Sequence, residues 1–143
     1  MALHIIKLCV GCDSLSDLAD WQKKRLKQKR AKGQKPELIQ VTRMTPKRAD
    51  EVLDGGSLYW VIKGQIAARQ TLLALRPMTV KGAPHCGLVY DKQLVAVVAR
   101  PRRAFQGWRY LTAEDAPPDL AKTKGAKGLP ETMQRELAAL GLL

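Results

Sequence analysis

No apolar run in this chain approaches the roughly 18 to 20 residues that a membrane-spanning helix needs. The longest clean stretch, Leu94 to Ala99, stops at Arg100. No basic segment followed by an uninterrupted apolar one opens the chain, because Lys7 breaks the run from Leu3 to Val10 and Asp13 closes it. A secretion signal is therefore not expected, and the cytoplasm is the expected compartment. Histidine is scarce, with only His4 and His85, and no G-x-S-x-G elbow, H-E-x-x-H pair or P-loop is present. Classical hydrolase, zinc-protease and nucleotide-loop chemistries are thereby excluded. Three cysteines cannot all pair within one chain, and without an export signal they read as thiols rather than as a disulfide framework. Acidic residues are few as well: 13 Asp and Glu stand against 25 Lys and Arg, leaving a net charge of +12. A surplus of that size repels basic partners and attracts a polyanion, with nucleic acid the first candidate.

What is present fits one domain spanning 1–143, since 143 residues with 45% apolar content can close a single core. The positive charge is concentrated: residues 21–50 carry a net +9 and residues 81–110 a net +5. HIIKLCV reads as a buried strand. Ser14 is a candidate N-cap, with Asp17 and Asp20 near the helix start, where carboxylates suit the dipole. Leu15, Leu18, Ala19, Gln22 and Leu26 then share one helical face, which gives out before the basic helix end at about 23–35, and Gly33 is the expected stop. ELIQVTR predicts a strand, Thr45-Pro46 the start of a short helix ended by Gly55-Gly56, and SLYWVIKG a central strand buried on both faces.

From Gln65 to Arg76 helix and strand periods compete, and the run between a glycine and Pro77 favours strand. Gly87–Tyr90 and Gln93–Arg100 predict a hairpin turning at Asp91-Lys92. Residues 101–128 are loop-rich, and Pro130 opens a last amphipathic helix. The order predicts an α+β fold whose sheet is curved and mainly antiparallel, or a small β-barrel with flanking helices.

Two constellations stand out. Cys9 and Cys12 form a C-x-x-C, and with His85 and Cys86 they supply four soft ligands of the kind zinc takes. Adjacent residues on a strand point to opposite faces, so His85 and Cys86 are poorly placed to share one ion, and no metal or other cofactor is expected. A redox-active C-x-x-C at a helix start is a further reading, because a helix N-terminus lowers a thiol pKa.

The basic residues carry the main expectation. Lys24, Lys27 and Arg30 lie around the helix circumference, where a core cannot absorb them, although a solvated charged helix end explains them equally well. The second block raises the functional reading, because Arg100, Arg102 and Arg103 lead into Phe105, Trp108, Arg109 and Tyr110. Bases stack on aromatic faces while guanidinium groups hold phosphates, a composition suited to single-stranded or looped RNA. On this reading Trp108 is at least partly exposed as a stacking platform; the alternative is that these rings anchor a loop to the core.

The strings HIIKLCVGCDS, MTPKRADEVLDGGSLYWVIKG and FQGWRYLTAEDAPPDL resemble a bacterial family of unknown function of the alphaproteobacterial type, over nearly the whole chain. A fainter resemblance is to PUA-like and ASCH domains, carried by Ile62, Lys63, Gly64 and Arg69, with Gln65 and Ala67 standing where that family places a threonine and a glutamate. It implies a PUA-like barrel that binds RNA or a modified nucleoside, with Lys63 and Arg69 lining the groove. The expectation is a small cytoplasmic RNA-binding module. The alternatives are an enzyme acting on a modified nucleoside, with Lys63 as the activating amine supported by Thr71 or Glu51, and a protein-interaction adaptor using its basic surfaces for steering.

Overall fold

The computed structural model describes residues 3–103 and 105–120. Seven strands and two helices follow in the order β1 (His4–Leu8), α1 (Leu15–Ala31), β2 (Leu38–Thr42), α2 (Ala49–Leu53), β3 (Ser57–Ile62), β4 (Gln65–Val80), β5 (Ala83–Tyr90), β6 (Val95–Pro101) and β7 (Trp108–Leu111). The strands make one mixed sheet with path β2-β5-β4-β3-β1-β7, and β6 pairs with β4 off that path. Only β1 and β3 run parallel, joined by the long crossover through α1, β2 and α2; every other pairing is antiparallel. The path is open at β2 and β7 and does not close the expected small barrel. The mainly antiparallel sheet agrees with the expected class. The helix expected from Pro130 lies outside the described residues, as does the segment beyond 120 of the loop-rich stretch.

The local signals explain most elements. Ser14 caps α1, its hydroxyl accepting the Asp17 N–H at 3.1 Å, and the helix ends before Gly33, which takes φ 71°. α2 starts three residues later than Thr45-Pro46 predicts. Its N-cap is Arg48, whose N–H donates to the Tyr110 hydroxyl at 3.1 Å, so a contact 62 residues away overrides the local proline signal. β3 is buried at every position, as a strand apolar on both faces must be.

β4 is the longest strand, and it is a strand throughout rather than a helix. Its residues 65–71 pair with β3 on one edge, and residues 65–69 pair with β6 on the other. From Leu72 to Val80 it pairs with β5. β5 and β6 therefore follow one another along β4, separated by residues 91–94, and the hairpin expected between them at Asp91-Lys92 does not form. The real turns are Lys63-Gly64 and Lys81-Gly82. Both residues of each turn have positive φ, 50° and 76° in the first and 51° and 81° in the second, the backbone that a two-residue hairpin requires. Pro77 is tolerated because β3 reaches no further than Thr71 on that edge of β4, so no partner waits for its missing N–H. Register shifts beside Trp60, Ile66 and Leu72 add local twist to the sheet.

Alternation along β3 divides the interior in two. Leu58, Trp60 and Ile62 join the larger core, under α1, with Ile5, Leu15, Leu18, Leu88 and Tyr90. Tyr59 and Val61 face a smaller cluster with Ile6, Ile66, Val97 and Leu111, against which Phe105 and Ala116 pack. The larger core contains a closed polar network. Gln70 and Gln22 exchange amide hydrogen bonds of 2.8 and 2.9 Å, Trp60 Nε1 donates to Gln70 Oε1 at 2.8 Å, and Gln70 Nε2 also donates to the Asp91 carbonyl at 2.9 Å. Both hydrogens and both lone pairs of the Gln70 amide are used, which is what a fully buried amide requires. Replacing Gln70 by Leu strands the Trp60 N–H and the Gln22 amide in the core. With about 1–3 kcal/mol for each unsatisfied group, the variant should lose 3 kcal/mol or more of stability in urea unfolding.

Candidate nucleic-acid interface

The face of the sheet opposite α1 carries a polar pocket at one end and an arginine cluster at the other. The pocket is an open cavity of about 460 Å³ with His4, Ser57, Tyr59, Arg69 and Asp119 around it and Ala113, Ala116, Pro117 and Pro118 as walls. Register places these groups together: Tyr59 faces Arg69 across β3 and β4, and the Val97–Asp119 bridge brings the chain after β7 back over the sheet.

Arg69 holds Asp119 through two parallel bonds, Nε to Oδ1 at 2.6 Å and Nη2 to Oδ2 at 2.7 Å, while Nη1 donates to Ser57 Oγ at 3.1 Å. His4 Nδ1 accepts the Ser57 backbone N–H at 3.0 Å, so the neutral ring carries its proton on Nε2. Burial, with the Arg69 charge adding to it, holds the His4 pKa below the ordinary 6.5. The ring meets Tyr59 edge-on, with centroids 5.0 Å apart. Burial pushes the Tyr59 phenol up, keeping it protonated. The pocket thus offers hydroxyl and imidazole donors beside an internally neutralised Arg–carboxylate pair.

At the other end two guanidinium groups approach the Phe105 ring, with Arg102 Cζ 5.7 Å and Arg109 Cζ 5.6 Å from its centroid. Pro101, Arg102, Arg103, Phe105 and Arg109 border a recess of about 350 Å³. The Lys63-Gly64 turn abuts this loop, because Arg102 N–H donates to the Gly64 carbonyl at 2.8 Å. Lys63, Arg102, Arg103 and Arg109 therefore gather at one edge. Among the described residues none of these four forms a salt bridge with a carboxylate.

The other expected site residues are dispersed. Lys24, Lys27 and Arg30 are exposed on α1, across the sheet from the arginine cluster, so the two basic blocks do not form one surface. Trp108 is not an exposed platform. It is 6% exposed within the larger core, and its Nε1 donates to the Met44 carbonyl at 2.8 Å. Tyr110 packs edge-on to it at 4.9 Å and is held by the Arg48 N–H, so it too is structural. Pairing with β1 decides this: Arg109 lies opposite Ile6 and takes the smaller-cluster face, which turns Trp108 and Tyr110 into the larger core. Lys63 meets neither Thr71 nor Glu51, the two alternative supports expected for it. Lys63 sits in the turn and Thr71 faces Ser57 at the far end of the hairpin, about 20 Å away at the rise of an extended strand, and Glu51 pairs with Arg48.

The cysteines also differ from expectation, because Cys9 and Cys12 are joined as a disulfide while Cys86 is a buried thiol. Among the described residues no three His, Cys, Asp or Glu side chains cluster as metal ligands. His4, Ser57 and Asp119 were not identifiable as site residues from the sequence; they are separated by more than 50 positions, and no spacing rule links them.

These features define an open mixed-sheet protein with a polar pocket and a cationic aromatic cluster on one face. The chain belongs to the family described as protein of unknown function DUF1489, whose match covers residues 5–143. No curated protein and no solved structure matches it. No helix among the described residues is long and apolar enough to cross a membrane.

Truncation of Trp108 to Ala removes a buried ring and its hydrogen bond to Met44, so thermal or urea unfolding should show a loss of about 3–5 kcal/mol. The His4 shift has a definite sign. Because the folded state holds the ring neutral, the unfolded chain takes up its proton first as pH falls through about 6.5, and stability is lost below that value and complete above it. His4→Asn retains a side-chain acceptor for the Ser57 N–H and should flatten stability measured between pH 7 and 5.

Proposed function

We propose that this is a cytoplasmic protein that binds single-stranded RNA on the sheet face opposite α1. Lys63, Arg102, Arg103 and Arg109 contact phosphates, a base stacks on Phe105, and the neighbouring nucleoside enters the pocket of His4, Tyr59 and Arg69. The observation that carries the reading is the Phe105 ring with two guanidinium groups beside it, in a cluster with no carboxylate partner among the described residues. A folded protein gains little by gathering like charges unless an anion binds there. Phe105 replaces Trp108 and Tyr110 as the stacking ring, while Arg69 acts through the pocket it shapes with Asp119. The basic end of α1 steers RNA from a distance. A PUA-like relationship, carried by the Lys63-Gly64 turn and Arg69, accords with this function and is part of the proposal.

Fluorescence anisotropy with a labelled mixed-sequence RNA of about a dozen nucleotides tests it. Four phosphate contacts at roughly −0.7 each give a log–log salt slope of about −3. Phe105→Ala should weaken binding by about 1–3 kcal/mol at a temperature where the variant is still folded, its melting temperature falling modestly because the ring also packs on the smaller cluster. Combined Gln replacement of Arg102, Arg103 and Arg109 should flatten the salt slope, whereas the same change at Lys24, Lys27 and Arg30 should have a smaller effect. A slope near zero, or equal losses in the two triple variants, refutes the assignment.

A further inference from the structure

The RNA reading leaves the C-x-x-C unused. Cys9 prolongs β1 by donating its N–H to the Val61 carbonyl at 2.9 Å, Gly11 turns the chain at φ 83°, and Cys12 precedes the Ser14 cap of α1. Because β1 and β3 are parallel, the motif lies at the carboxyl end of a parallel strand, immediately before the helix that opens the crossover. Such strand-to-helix junctions are where chemistry collects in β-α-β units, and a C-x-x-C there reads as a redox motif. A recess of about 140 Å³ adjoins the pair, lined also by Lys7, Val10, Trp21 and Gln40. Two of these side chains are apolar and open to water, Val10 at 89% and Trp21 at 44% exposure. Exposed apolar groups beside a reactive centre suit a polypeptide substrate. Lys7 is half-buried, desolvation lowers its pKa, and it lines the same recess as the two cysteines, which puts an amine able to carry a proton in that recess.

A purely structural role has little to support it. Crosslinking residues three apart closes the shortest of loops, for which the chain-entropy gain is smallest. The segment is already held by the Cys9–Val61 hydrogen bond and the Ser14 cap.

We propose that Cys9 and Cys12 form a redox-active pair that reduces disulfides in protein substrates by thiol–disulfide exchange. In the reduced state one thiolate attacks a substrate sulfur, the substrate disulfide breaks, and its departing sulfur takes a proton. The resulting mixed disulfide is then attacked by the second cysteine after it loses its proton, with the Lys7 amine relaying protons in the recess. The Cys9–Cys12 bond forms and the substrate leaves with both sulfurs as thiols, so two electrons pass from the pair to the substrate. A dithiol reductant restores the pair by the reverse exchange. The oxidised form is the one this structure holds. This activity is independent of RNA binding.

Reduction of insulin by dithiothreitol, followed by turbidity, is the direct test. At micromolar concentration the full-length protein should shorten the lag before turbidity several-fold relative to dithiothreitol alone. Cys9→Ser and Cys12→Ser should each abolish the acceleration, Cys86→Ser should keep it, and Lys7→Met should slow it several-fold. Alkylation and mass measurement of the wild-type protein in graded glutathione buffers gives a second readout that needs no variant, and the pair should interconvert across the series. No acceleration, acceleration that survives in both serine variants, or a disulfide that persists in the most reducing buffer overturns the proposal.

Discussion

The Gln22–Gln70–Trp60 network joins the helix to the sheet at the centre of the larger core. A buried amide with all four positions filled tolerates one geometry, and that geometry sets the rotation and height of α1 over β3 and β4. An apolar contact at the same place could slide or turn by one residue with little change in buried area. The network also ties the segment after β5 to the core through the Asp91 carbonyl, at the point where the chain leaves one half of β4 for the other. That bond holds the chain at the break between β5 and β6, where β6 returns to the first half of β4.

β4 extends this constraint across the molecule. Its first half bonds to β3 and β6, its second half to β5, and β2 hangs on β5. Alternation along the strand then sends Gln70 to the helix side and Arg69 to the opposite pocket, so adjacent residues organise the core and the site. Arg69 uses its fork on Asp119 and Ser57, and Ser57 donates its N–H to His4, so β1, β3, β4 and the chain after β7 converge through one guanidinium. The pair is partly buried, which makes losing one partner more damaging than the pair's own net contribution.

Charge placement separates two roles that composition merges. The α1 block faces solvent on the helix side, whereas Lys63, Arg102, Arg103 and Arg109 meet where a turn and a loop abut. The first is a dispersed charge on a solvated helix, and the second gathers its cations around one aromatic ring. The C-x-x-C lies at the junction of β1 and α1, where Cys9 bonds to Val61 two residues before the Lys63 turn, and it has its own recess.

Local physics in the sequence determined the elements whose signals are contained within a few residues. The Ser14 cap and Gly33 stop bound α1, the unbroken apolar run marks β3 as central, and the excess of Lys and Arg sets a net charge of +12. The strand character of residues 65–76 was legible from its flanks, although its extension through Pro77 was not, because tolerance of that proline depends on where β3 ends. Tertiary structure alone decided which strand β5 and β6 join, which face Trp108 takes, and that His4, Ser57, Arg69 and Asp119 share a pocket. Periodicity shows that a face will be covered, but not what covers it. Register between segments far apart in the chain, such as His4 and Leu111, makes that choice, and shifting it by one residue would exchange every inward side chain for an outward one.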